Sequence, residues 1–177
     1  MTRLIAISRI TPQNASVFKA VRLRALQDAP HAFSSTFAEE SRFAEAEWLA
    51  RIERMNGNRG VGFLAIDGET ACGIAGSFLN QGDATRAQLV SMWTAPTHRL
   101  QGVGRLLISE ILNWAHLRNA RTLLLMVTSN NEPAIQFYER LGFTRTGRVE
   151  PYPNDPAVFE YEMSMPISRN HAPPQSP

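Results

Sequence analysis

The sequence predicts an α+β domain: a mixed, mostly antiparallel central sheet of about seven strands with four helices. Three observations lead there. Apolar runs of strand length recur along the chain, and two of them meet at the hairpin dipeptide Asp67-Gly68. Four separate stretches carry the helical spacing of apolar residues. The resulting order is strand, two helices, three strands, helix, strand, helix, two strands.

Leu4 to Ile10 is a short apolar run that reads as the first strand. Thr11-Pro12 then reads as a helix start, with Thr11 as N-cap and Pro12 at the first helical position. Phe18, Val21 and Arg24-Ala25 carry that helix to about Asp28, and Ala29-Pro30 breaks it. After a Ser-rich loop from His31 to Thr36, a second helix is expected through Glu39, Glu40, Trp48, Leu49 and Ile52, ending near Asn56-Gly57. Val61 to Ile66, Ala71 to Leu79 and Ala87 to Thr94 follow as a strand meander, closed by Ala95-Pro96. A long helix is expected from Gly102 to about Asn119, with Val103, Leu107, Ile111 and Trp114 on one face. Leu123 to Thr128 is a continuous apolar run, as expected of a buried strand. Pro133 opens a short helix that ends at Leu141-Gly142, where glycine suits a left-handed C-terminal cap. Thr144 to about Tyr152 and Val158 to Met165 form a final hairpin.

The 177 residues fit one domain, expected over residues 1–167, and the proline-containing stretch 168–177 is expected to be a disordered tail. A net charge of +2 without a dense Lys/Arg run argues against a nucleic-acid binder. Cys72 is the only cysteine, so no internal disulfide can form, and its apolar surroundings predict a small buried thiol. The N-terminus lacks the apolar core of a signal peptide, and no apolar run is long enough to span a bilayer. The expectation is a cytoplasmic enzyme or binding module without membrane attachment.

The stretch Thr97 to Arg105 lies between a strand and a helix and contains Gly102 and Gly104. The first turn of a helix leaves backbone N–H groups without internal partners, and its dipole is positive there. Glycines let a ligand approach that backbone, so this is an expected anion site, with Arg99 and Arg105 adding mobile positive charge at the rim. It is not a P-loop, because Arg105-Leu106-Leu107 stands where Lys-Ser/Thr would be needed. It is not the dinucleotide fingerprint either, since Leu107 replaces the third small residue.

Arg99, Gly102 and Gly104 match the pattern Arg/Gln-x-x-Gly-x-Gly/Ala, and Asn131 to Phe143 matches Asn-x-x-Ala-x-x-Phe/Leu-Tyr followed by Gly-Phe. On these paired motifs the chain resembles the GCN5-related N-acetyltransferase superfamily over about residues 4–166. The resemblance implies a fourth and fifth strand that run parallel and splay apart, with acetyl-coenzyme A between them as acyl donor. It implies that Met92, Trp93 and Thr94 pair through backbone groups with the pantetheine arm and the acetyl carbonyl. Gln101, Gly102, Val103, Gly104 and Arg105 would give N–H groups to the pyrophosphate, with Arg99 and Leu100 in the same loop. Asn131 would bond the pantetheine arm, Phe137 would pack near the coenzyme, and Tyr138 would be the general acid.

The chemistry sets its own needs. The attacking amine must be neutral, the tetrahedral intermediate carries an oxyanion, and the leaving thiolate benefits from a proton. A phenol, with a reference pKa of about 10, holds a proton at neutral pH and can donate it. The expected base is Glu40, or its neighbour Glu39, acting through water; both also fit as first-turn acids favoured by the helix dipole. His98 reads as a solvated loop side chain, and the His and carboxylate spacing shows no metal motif. Ala32, Phe33 and Phe37 either wall the acceptor pocket or anchor its loop, and Arg145, Arg148, Glu150 and Tyr152 line its mouth. The expected activity is acetyl transfer to a primary amine of a small molecule or peptide in a ternary complex. A non-catalytic acyl-coenzyme A sensor is the alternative. The final hairpin offers an edge for an expected homodimer.

Overall fold

The described residues form seven strands and five α-helices: β1 (Ile5–Arg9), α1 (Ala15–Asp28), α2 (Phe37–Glu40), α3 (Glu45–Asn56), β2 (Gly60–Asp67), β3 (Thr70–Leu79), β4 (Arg86–Thr94), α4 (Val103–Leu117), β5 (Thr122–Thr128), α5 (Glu132–Leu141), β6 (Thr144–Tyr152) and β7 (Asp155–Pro166). The computed structural model describes residues 4–168, so residues 169–177 of the expected tail lie outside the described residues. All seven strands join one sheet in the order β1-β2-β3-β4-β5-β7-β6. Every pairing is antiparallel except β4 with β5.

That parallel pair is short. It holds at three positions only, Arg86 with Thr122, Ala87 with Leu123 and Gln88 with Leu124. Beyond Gln88 the two strands part, and the β5-facing edge of Leu89 to Thr94 has no strand against it. On its other side β4 bulges. Gly76 pairs with Val90 and Ile74 with Trp93, so Ala75 alone faces both Ser91 and Met92. Ser91 takes the extra residue in the left-handed region, φ 57°.

The β2–β3 turn at Asp67-Gly68 forms as expected, with Gly68 at φ 60°. The helices differ in two respects from the expectation of four. A 3-10 turn over Pro12–Asn14 precedes α1, because the Asn14 carboxamide accepts from the Thr11 N–H (2.8 Å) and ties the entry. The expected second helix is two: α2 stops at Glu40, and α3 restarts where Glu47 accepts from the Ala44 N–H (2.8 Å). The break lets Glu40 turn inward.

Two layers of helix cover the sheet. Phe18 of α1 meets Trp48 of α3 edge to face at 5.6 Å, both almost fully buried. α4 lies against β3 at Gly73, where an added Cβ would come within 3.0 Å of both Val103 and Leu107 side chains. The absent side chain therefore lets the first turns of α4 sit close to the sheet, beside the end of β4 at Thr94. No helix among the described residues is long and apolar enough to cross a membrane.

Candidate functional site

A cavity of about 1120 Å³ opens where β4 and β5 part. Met92 on β4, Thr128 on β5, and Asn131 and Tyr138 around α5 line one part of it, and Phe33 and Arg51 line another. The cavity thus brings together residues that the sequence places far apart.

The end of β4 is fixed from behind. The Trp93 indole is 5% exposed, and its N–H donates to Asp28 of α1 (2.8 Å). Arg24 lies over the same ring at 5.5 Å. Trp93 and Thr94 hold β3 through Ile74 and Gly73, which leaves their opposite edge free of any strand. Unpaired backbone groups on that edge suit an extended amide-bearing ligand laid in as a short strand.

The loop before α4 has the geometry of an anion cradle. Leu100 at φ 63° and Gly102 at φ 84° are both left-handed. The first α4 bond is Leu106 N–H to Gly102 C=O (3.0 Å), so the N–H groups of Val103, Gly104 and Arg105 have no helical carbonyl to meet. Arg105 is exposed at the rim. Arg99 does not supply the mobile charge expected of it. Its guanidinium is bonded to the Asp28 carboxylate and, at 3.1 Å, to the Thr94 carbonyl. It therefore tethers the loop to α1 and to the end of β4. Gln101 adds a second tether through its side-chain N–H to the Thr97 carbonyl (2.8 Å). His98 is not a solvated loop side chain: it is mostly buried and paired with Asp67 (3.2 Å).

The second motif packs directly on the first. An added Cβ on Gly104 would lie 2.8 Å from Phe137 Cζ and 3.0 Å from Met92 Cε. Phe137, Met92 and Gly104 therefore pack on one another, and Met92 carries that contact to the cavity wall. Asn131 caps α5, its side-chain oxygen accepting from the Ala134 N–H at 3.3 Å. Tyr138 is 8% exposed and stacks obliquely on Phe137 (5.3 Å) and edge-on to Phe143 (5.6 Å). Burial pushes its hydroxyl above the ordinary phenol range, so it stays protonated throughout the neutral range.

Glu40 does not fit the role of base. It is fully buried and accepts from Arg22 (2.8 and 3.0 Å), Arg51 (2.7 and 3.0 Å) and Ser35 (2.5 Å). Burial pulls its pKa upward, but the hydrogen bonds from Arg22 and Arg51, the Arg22 charge and the Ser35 hydroxyl outweigh it and bring the carboxyl to about 2. Such a carboxylate has almost no affinity for an amine's proton. Its position is structural: Arg22 also donates to the Ser91 hydroxyl (3.3 Å) and lies 4.6 Å from the Phe33 ring. Glu40 thus braces both the β4 bulge and the loop opposite. Glu39 is exposed and caps α2 through the Thr36 N–H (2.9 Å).

That loop is held at its other end by Tyr152, whose hydroxyl donates to the Phe33 carbonyl (2.5 Å). Phe33 is buried and serves as both anchor and cavity wall, whereas Phe37 is 37% exposed. Thr128 and Glu160 are among the cavity residues that escaped the sequence reading. Glu160 alternates with buried Met163 and Met165 along β7, a pattern that reads as a solvent-facing acid. Only the splay exposes its face to a cavity.

Comparison with known proteins agrees with this geometry. The acetyltransferase (GNAT) family matches residues 22–143. The streptothricin acetyltransferase of Streptomyces lavendulae is 37% identical over 89 residues, 48% of this chain but only 45% of that protein. The chain thus spans less than half of that relative's own length. The ribosomal protein bS18 alanine N-acetyltransferase of Salmonella typhimurium is 30% identical over 117 residues, 63% of this chain and 77% of that one. An acetyltransferase structure from Salmonella typhimurium with its cofactor acetyl-CoA superposes with a TM-score of 0.75 at 16% identity, covering 96% of this chain and 98% of that one. The matched span takes in the parted strands, the anion cradle and the Tyr138 helix, and the chain belongs to the acetyltransferase (GNAT) family.

Proposed function

We propose that this protein moves an acetyl group from acetyl-coenzyme A to a primary amine by direct attack within a ternary complex. The observation that carries the reading is the juxtaposition of three parts: a strand edge without a partner and a buried, protonated phenol at one cavity, and beside it a helix N-terminus with free N–H groups that packs through Gly104 on Met92 of the cavity wall. Family membership supports acetyl-CoA as donor. The names of the relatives place the acceptors of those proteins among streptothricin and a protein's alanine nitrogen.

The groove fits the donor's chemistry. The N–H groups of Val103 to Arg105 meet the pyrophosphate, and the edge of Met92 to Thr94 meets the amides of the pantetheine arm. Bound there, the donor supplies an activated thioester. A backbone N–H at Trp93 or Thr94 stabilises the oxyanion that forms as the amine attacks. Tyr138 gives its proton to the departing sulfur. Asn131 keeps its side-chain nitrogen without a partner among the described residues, ready for a pantetheine carbonyl.

Two measurements test this. Acetyl-CoA should raise the melting temperature, and thiol release should appear in a screen over amine classes. Tyr138→Phe should keep donor binding and lose turnover by about 10²- to 10⁴-fold, the usual worth of general acid catalysis. An unchanged rate removes Tyr138 from the role. Absence of donor binding removes the whole reading, including the alternative of a non-catalytic sensor.

A further inference from the structure

We propose that Glu160 and Thr128 seat the acceptor's ammonium group, and that the Glu160 carboxylate takes the proton the amine must lose before it attacks. This rests on the acyl-transfer reading above and adds the acceptor's chemistry to it.

Thr128 and Glu160 are direct cross-strand partners on β5 and β7, so their side chains stand on the same face. Both line the cavity that holds Tyr138 and Met92. The Thr128 hydroxyl is buried, with the residue 3% exposed, and has no hydrogen-bond partner. A buried hydroxyl without a partner is costly, and a ligand donor at that spot removes the cost.

Glu160 is equally unmatched. The carboxylates of Asp28, Glu40, Glu150 and Glu162 each accept from a tryptophan, arginine or hydroxyl donor. Glu160 accepts from none among the described residues. Burial raises its carboxyl above the ordinary range, and the Glu150 charge facing it across the hairpin adds to this.

The charges closest to Glu160 are those on β6 and β7. Arg148 on β6 is engaged by Glu150 and Glu162. Arg22, on the cavity wall, is engaged by Glu40. Arg51 shares that same carboxylate, so this cluster keeps one positive charge, and with Arg54 and Arg59 it lines the part of the cavity beside β2, four strands from β7 in the sheet. Asn131 and Tyr138, from the α5 side, are neutral. Glu150 and Glu162 share the single Arg148 charge, so the β6–β7 side of the cavity is net negative, and Glu160 beside Thr128 is the carboxylate there with raised proton affinity.

The proton balance closes. R–NH3⁺ gives one proton to Glu160 and becomes R–NH2, whose lone pair forms the C–N bond. The C–S bond breaks as sulfur takes the Tyr138 proton. The nitrogen's surplus proton restores Tyr138, and the Glu160 proton leaves to water.

The test compares amines that need deprotonation with one that does not. An alanine-initiated peptide and spermidine carry alkylammonium groups at neutral pH, whereas aniline is already neutral. Glu160→Gln should lower kcat/KM for the alkylammonium probes by about 10²-fold or more, leave aniline turnover within about two-fold, and leave acetyl-CoA binding unchanged. The same variant should lose the acidic limb of the alkylammonium pH profile, and Glu160→Asp should restore part of the rate. Thr128→Val should raise KM for the alkylammonium probes alone. Equal loss on all amines, or no loss on any, overturns the proposal. So does an unaltered protein that turns over neither alkylammonium probe faster than aniline. With acetyl-CoA bound and aniline turned over through Tyr138, that last result leaves the acyl-transfer reading standing.

Discussion

At the scale of single residues, the two motifs depend on each other through one contact. Both glycine and alanine satisfy the loop pattern at position 104, yet here a Cβ would press on Phe137 and Met92. Gly104→Ala should therefore cost stability despite alanine's helix preference. Overpacking costs about 1–3 kcal/mol against a propensity gain of at most about 1 kcal/mol. Denaturant unfolding should show the net loss together with weaker acetyl-CoA binding, and adding Phe137→Leu should recover both. The motif residues themselves were legible in the sequence, because glycine before a helix and Asn-x-x-Ala-x-x-Phe-Tyr have few other readings at that spacing. Their partners were not. Asp28 ends α1 as an ordinary acid in the sequence, and only the fold brings it under both Trp93 and Arg99.

At the scale of elements, Glu40 joins α2 to α1 through Arg22 and to α3 through Arg51. Glu40→Gln should cost about 3–5 kcal/mol, as expected when one side of a buried ionic network is removed. A chemical base would instead lose rate without losing stability, so the melting temperature separates the roles. The pH dependence has a definite sign. The folded carboxyl sits at about 2 against an ordinary 4.5, so its contribution is complete above about 4.5 and vanishes as the pH falls toward 2. The stability gap between the unaltered protein and Glu40→Gln should shrink over that window in acid unfolding curves. The break between α2 and α3 was hidden because apolar periodicity continues across it while the capping side chain of Glu47 reads as one more exposed acid. The strands were clearer. Asp67-Gly68 and the apolar run at 123–128 fixed β2, β3 and β5 to within a residue. The bulge at Ser91 had no sequence signal, since serine seldom marks a left-handed position.

At the scale of the molecule, β6 is one of the two outer strands of the sheet and is largely exposed, with Val149 at 50%. An edge of this kind invites pairing, and we propose that it forms a homodimer. Sedimentation at micromolar concentration should give twice the chain mass, and Val149→Lys should return a monomer with acetyl-CoA binding intact. Sedimentation of the unaltered protein as a monomer ends the proposal.

The short parallel pairing has a consequence for cooperativity. Three paired positions, Arg86 to Gln88, and the bonds from the Arg121 and Thr122 N–H groups to the Thr85 carbonyl suture the β1–β4 half of the sheet to the β5–β7 half. A donor lying along the open edge of β4 acts as a missing strand, so it completes the sheet as well as filling a site. Amide hydrogen exchange should then report two separable blocks in the free protein, with β5 and β7 opening first. Once the donor is bound, the two blocks should exchange as one, because the substrate has become part of the fold's own continuity.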